Sequence, residues 1–145
     1  MKHKTLNRRQ KGVGLIEVLV AMVLLSLCLL GMAGLQVVAL RNDQSAQSRS
    51  MATIMSYSIT DSMRANVAAA KNGDYNLTAC SAVSGTSLAN TDVISWISAI
   101  KAAIGQTACG GINCVNGLCE ITIQWDDSRA TGGDQAYTLT TRIQL

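Results

Sequence analysis

Aromatic side chains are scarce in this chain: Tyr57, Tyr75, Trp96, Trp125 and Tyr137 are the only five in 145 residues, and phenylalanine is absent. Such a set makes a poor platform for stacking bases. Histidine is nearly missing too. The only one, His3, lies in the basic amino-terminal segment, and removal of that segment would leave no imidazole, which excludes His-based triads and His-containing metal sites. Acids are absent from the first twelve residues, which hold Lys2, Lys4, Arg8, Arg9 and Lys11. The formal charge of +3 comes from 12 basic and 9 acidic residues; without those five bases it becomes 7 against 9, or −2. The basic stripe of a phosphate binder is therefore missing, and no direct nucleic-acid binding is expected.

A length of 145 residues predicts one small domain. The hydrophobic excess is concentrated in one segment. Residues 18 to 40 form a run of 23 without a charge, which as a helix would be about 35 Å long against about 30 Å of hydrocarbon. It can cross a membrane once. The cationic cluster before it places the start inside and the rest outside, so the chain beyond about residue 41 is expected to be periplasmic or extracellular.

A secretory signal peptide is the alternative, but its apolar region is shorter, about 7 to 15 residues, and ends at a small-x-small cleavage site. Glu17 stands immediately before this run among apolar neighbours, and a carboxylate in an apolar segment needs a partner, a purpose or a place at the interface to which it can snorkel. The string Lys11-Gly12-Val13-Gly14-Leu15-Ile16-Glu17-Val18-Leu19 resembles the type IV prepilin cleavage signal. It has a basic leader, a glycine before the cut, a hydrophobic residue after it, and a glutamate five residues into the mature chain. The resemblance implies that prepilin peptidase cuts after Gly12 and methylates the new amine of Val13, leaving residues 13 to 145. Most family members have Phe or Met where this chain has Val13, and Ser or Thr where it has Gly14. Glu17 would pair with the amino terminus of a neighbouring subunit and so set register during assembly. Gly31 and Gly34 in the outer part of the run read either as close helix packing or as a flexible joint. The proline that many major pilins carry there is absent. Cys28 reads as a small apolar residue.

Beyond Arg41 the helical pattern continues, with Met51, Met55, Ile59 and Met63 four apart and Ile54 beside them, a core-packing stripe that ends near residues 66 to 73. Residues 72 to 91 read as a loop. A second helix is expected from about Thr91 to Ile104, capped by Asn90 or Thr91 and stopped by Gly105. Two strands alternate with period two: Cys119, Ile121, Ile123 and Trp125, then Tyr137, Leu139, Thr141 and Ile143. They are expected to pair antiparallel across the polar loop 126 to 136. Gly110-Gly111 and Gly132-Gly133 read as loop chemistry.

Cys80, Cys109, Cys114 and Cys119 lie outside the apolar run. An even count in a small extracytoplasmic head reads as two disulfides. Three connectivities are possible, with Cys80–Cys109 and Cys114–Cys119 preferred; a four-cysteine zinc site competes, against the compartment. No metal or other cofactor is expected. Asp126 and Asp127 are adjacent and read as turn formers. No activated nucleophile is visible, so the expectation is not an enzyme.

The start, with Leu30-Gly31-Met32, Gln36, Ser62-Met63-Arg64-Ala65, the segment Glu120 to Trp125 and the closing Tyr137 to Leu145, resembles the PilV-type minor pilins of type IV pili. The resemblance implies an α+β pilin fold, a long amino-terminal helix packed on a small antiparallel sheet. The expected divisions are a leader, 1–12; a membrane-spanning or filament-core half-helix, 13–40; a periplasmic half-helix, 41–70; and a disulfide-stapled head, 71–145. The implied role is to prime pilus assembly with other minor pilins in the inner membrane, and the subunit can be incorporated with the pilus tip components. Twitching motility, adhesion or DNA uptake would follow indirectly. The implied partners are those minor pilins, the prepilin peptidase, the inner-membrane assembly platform and the membrane itself. A minor pseudopilin of type II secretion and a tip-exposed adhesin are the alternatives.

Overall fold

The computed structural model describes Gly12 and residues 14–145. The basic leader residues and Val13 lie outside the described residues. The chain divides into two compact units, Met1–Val37 and Val38–Leu145.

In the first unit the described chain is almost entirely α-helix. Helix α1 runs Leu15–Ala65 and so contributes to both units. Its apolar stretch reaches a mean hydropathy of 2.6 over an 18-residue window, with none of that window buried. Gly31 and Gly34 lie within α1, and nothing stands within 4 Å of where their side chains would begin.

The second unit is an α+β head. Helix α2, Val67–Asn72, follows α1 after a break at Asn66, and Gly73 closes it in the left-handed region at φ 84°. Helix α3 spans Leu88–Ala103. Three strands follow, β1 Cys109–Val115, β2 Leu118–Trp125 and β3 Tyr137–Gln144, in the order β1-β2-β3 with both pairs antiparallel. The polar loop 126–136 joins β2 to β3, as the alternation and composition of the flanking segments imply.

The core gathers Ala52, Ile59 and Met63 of α1, Val93, Trp96 and Ile100 of α3, and Ile112, Cys119, Ile121, Ile123 and Trp125 of the sheet. On β2 burial alternates strictly, as period-two patterning requires. Strand β3 alternates too, but its inward row is only half-buried.

The structure departs from the sequence reading at four places. The buried face of α1 is Ser45, Ala52, Ser56, Ile59, Thr60 and Met63, whereas Met51 and Met55 are half-buried and Ile54 is 51% exposed. Small residues let neighbouring elements approach the helix closely. Two of the hydroxyls among them are satisfied within the helix, Ser56 donating to the Ala52 carbonyl at 2.9 Å and Thr60 to the Ser56 carbonyl at 2.7 Å. Helix α3 begins three residues before Thr91, because the Ser87 side chain accepts from the Asn90 backbone N–H at 3.2 Å and so caps it.

The other two departures concern β1. This strand lies where a glycine-rich loop was expected, and Gly110-Gly111 sits within it. A side chain at Gly111 would begin 2.9 Å from the Ala79 Cα, and one at Gly110 would run into the Trp96 ring. These glycines are places of close approach. The turn joining β1 to β2 is Asn116-Gly117, with φ of 53° and 79°, the two-residue pattern that matches strand twist.

Candidate functional site

At the start of the described chain, Gly12 and Gly14 are exposed and α1 opens at Leu15. The Gly14 carbonyl accepts from the Glu17 N–H at 2.9 Å and the Val18 N–H at 3.3 Å, which begins the helical ladder. Glu17 stands in the first turn, where a negative side chain complements the positive end of the helix dipole. Its carboxylate is exposed and has no partner among the described residues. Val18, Ala21, Met22 and Leu25 line a shallow apolar recess beside it. Cys28 is unpaired and exposed on the same helix. Among the described residues this end combines one carboxylate, small residues at the junction and a long apolar surface.

The four head cysteines are joined as Cys80–Cys109 and Cys114–Cys119. Cys114 and Cys119 face each other across the β1–β2 hairpin, on the buried side of the sheet. Cys109 stands opposite Gln124 in the other row, and the Cys80 sulfur lies 3.7 Å from the Gln124 side-chain oxygen. The two pairs therefore occupy opposite faces and do not converge on one point. Among the described residues there is no cluster of His, Cys, Asp or Glu suited to a metal.

The two adjacent aspartates do different work. Asp126 is exposed and accepts from the Ser128 backbone N–H at 2.9 Å; the Ser128 hydroxyl, then that backbone bond, hold its carboxyl below the usual range. Asp127 is 5% exposed and accepts from the Ser45 hydroxyl at 2.7 Å and the Arg49 guanidinium at 3.1 Å. Arg49 also lies 4.3 Å over the Tyr137 ring, and Tyr137 packs against Trp125 with centroids 4.9 Å apart. The Thr131 N–H donates to the Asn42 side chain at 3.2 Å. The loop after β2 is thus tied to the second-unit part of α1. The sequence reading gave Asp127 a turn and missed Ser45 and Arg49; their four-residue spacing on the polar side of a helix was the available signal.

A second polar contact lies under α3. The Tyr75 hydroxyl donates to Asp92 at 2.6 Å, and burial first, then this bond, raise the phenol above its ordinary value. Every one of these groups is engaged in holding the head together.

The family model for the prokaryotic N-terminal methylation motif matches residues 7–33, across Gly12, Glu17 and the apolar run as far as Ala33. No curated protein and no solved structure matches the chain. The motif, the long apolar helix and the α+β head together indicate a type IV pilin-like protein, a class that is typically structural rather than catalytic. The leader motif implies processing by prepilin peptidase and use by a pilus assembly machinery, and with the apolar helix it supports membrane anchoring.

Proposed function

We propose that this chain is a minor pilin of the PilV type, which joins other minor pilins in the inner membrane to prime pilus assembly and can remain at the pilus tip. The observation that carries the reading is the methylation motif over residues 7–33, placed on a chain that continues into a small, disulfide-paired head. In this reading residues 1–12 are the leader, removed on the cytoplasmic side after Gly12, and Val13 becomes the methylated terminus. Residues 13–40 are the membrane or filament-core half of the helix, 41–70 its periplasmic half, and 71–145 the head.

Glu17 supplies the register. A positive terminus and a negative carboxylate on one apolar helix cannot both be left unpaired in a water-poor filament core, so each Glu17 takes the terminus of a neighbour. The paired cysteines fit an oxidising periplasm.

Mass spectrometry of the chain from cells with and without prepilin peptidase tests the reading. A form beginning at methylated Val13 only when the peptidase is present is the expected result. An intact leader in both strains, or a cut near residue 35, overturns it.

A further inference from the structure

The two edges of the sheet are treated in opposite ways. Along β1 the outward backbone groups are occupied by residues 76–80. Leu77 and Ile112 exchange N–H to carbonyl bonds at 2.8 and 2.9 Å, and the Cys80 N–H donates to the Gly110 carbonyl at 3.2 Å. The Asn76 side chain acts as one more residue of strand: its oxygen accepts from the Cys114 N–H at 2.7 Å and its amide donates to the Cys114 carbonyl at 3.4 Å. That edge is sealed.

The other edge follows by alternation. If Gly110, Ile112 and Cys114 point outward, then Cys109, Gly111, Asn113 and Val115 bond β2, and the opposite set on β2, Cys119, Ile121, Ile123 and Trp125, bonds β3. The backbone N–H and carbonyl groups of Thr138, Thr140 and Arg142 are left facing away from the sheet. Among the described residues no backbone partner meets them. None of the usual devices that blunt an edge is present, since β3 has no proline, lysine or inward charge. Its single charge, Arg142, is neutralised by Glu120 of β2 at 2.7 Å, so the edge presents no repelling field. Beneath it Leu139 and Ile143 are only half-buried, whereas Ile121 and Ile123 one strand inward are wholly buried. One more strand would finish both the ladder and the core.

We infer that the Thr138–Arg142 edge of β3 receives an edge strand from a second, different pilin-like subunit anchored beside this one. The inference rests on the pilin reading above for the anchoring. Three arguments select the occupant. An eight-residue edge is about 27 Å long and about 10 Å thick, so pairing buries on the order of 500 Å² over both partners, well under the roughly 1,200 Å² of a stable free complex. The partner must be held there by a second tether, and a co-anchored helix supplies the effective concentration. A second copy added head to tail is blocked, because the β1 edge it would offer is occupied by residues 76–80. Self-pairing of two β3 edges needs a two-fold axis normal to the sheet. That axis reverses the Val38–Ala65 part of α1, which shares one core with the sheet and runs from the Asp127 loop at Ser45 to Tyr75 at Ser62, so the two copies would carry these helix segments in opposite directions. What remains is strand addition by another subunit, with main-chain bonds to Thr138, Thr140 and Arg142 and apolar side chains laid over Leu139 and Ile143.

The test uses the full-length chain in its own membrane, with a photoreactive phenylalanine analogue in place of Thr140. Irradiation should give an adduct whose peptide maps to an extended segment of a different protein that carries its own N-terminal methylation motif. Thr138→Pro or Arg142→Pro, each removing an outward N–H without touching a backbone bond to β2, should lower its yield about fivefold, the effect of losing one net hydrogen bond; Arg142→Leu, which loses the Glu120 contact but keeps the N–H, should not. Resistance of the head to limited proteolysis, equal to that of the natural protein, reports that each variant is folded. No adduct, an adduct with a second copy, an adduct with a protein lacking the motif, or a yield that neither folded proline variant changes would overturn the inference. The amino terminus is read from the same digest. A chain beginning at methylated Val13 without the adduct rejects the edge alone, and an uncut leader rejects the pilin reading.

Discussion

Ser45 and Asp127, 82 positions apart, are joined by a buried 2.7 Å hydrogen bond from the serine hydroxyl to the aspartate. The bond fixes the loop after β2 against the helix, and Arg49 completes it from the half-exposed side. Asp127→Ala should destabilise the head by about 1 to 3 kcal/mol, chiefly by stranding the Ser45 hydroxyl, since Arg49 can turn to water. Arg49→Ala should cost less, under about 1 kcal/mol beyond its contact with Tyr137. Urea unfolding of the detergent-solubilised chain measures both, and equal costs would contradict this division.

The two disulfides should differ in value. Cys80–Cys109 spans 29 positions and Cys114–Cys119 only 5. In the chain-entropy account the longer closure contributes about 3.5 kcal/mol and the shorter about 2. Replacing each pair by alanine and comparing urea midpoints should show the larger loss for Cys80 and Cys109.

Gly111→Ala should behave as overpacking. The new methyl would stand 2.9 Å from the backbone at Ala79, which cannot rotate away, and would press on the segment that seals β1. A loss of about 1 to 3 kcal/mol is expected, accompanied by faster amide exchange at Ile112 and Cys114.

Tyr75 gives the head an alkaline limit. Folded, it holds its proton more tightly than it does unfolded, where its value is near 10.0. Its contribution is therefore complete below about pH 10 and is lost as the pH rises through the higher folded value. Stability measured from pH 9 to 11.5 should fall more steeply in the natural protein than in Tyr75→Phe.

Glu17→Ala should leave membrane insertion intact and reduce recovery in sheared filaments, because the substitution removes a charge from an apolar helix while stranding a neighbour's terminus. Equal recovery of mutant and natural protein would remove Glu17 from assembly.

What could be read from the sequence divides along physical lines. The helix, the loop 126–136 and the β2–β3 pair were legible because each depends on local periodicity, as with Ile121 and Ile123 against Thr122 and Gln124. Strand β1 was not, because Gly110-Gly111 carry no side chains to show a period and their need for glycine is set by Trp96 and Ala79, distant in sequence. Asn116-Gly117 was the local cue that marked a hairpin there. The face of α1 was misread for a related reason. Met51, Met55 and Ile54 advertise hydrophobicity, but closeness of approach selected Ala52, Ser56 and Thr60. At the amino terminus, the run of unlike features at fixed offsets carried the motif without any tertiary information.

The two tryptophans meet different electrical surroundings within one core. Trp96 donates its indole N–H to the Met55 carbonyl at 2.9 Å, while the Trp125 N–H is buried and has no acceptor among the described residues. With no other indoles in the chain, the head carries its own pair of optical labels: a bonded one where α3 meets α1, and an unbonded one beside Tyr137 at the end of β2. Light emitted by Trp125 should lie further to the blue, and a change confined to it would mark loosening of the loop and β3 while the helical side of the head stays closed.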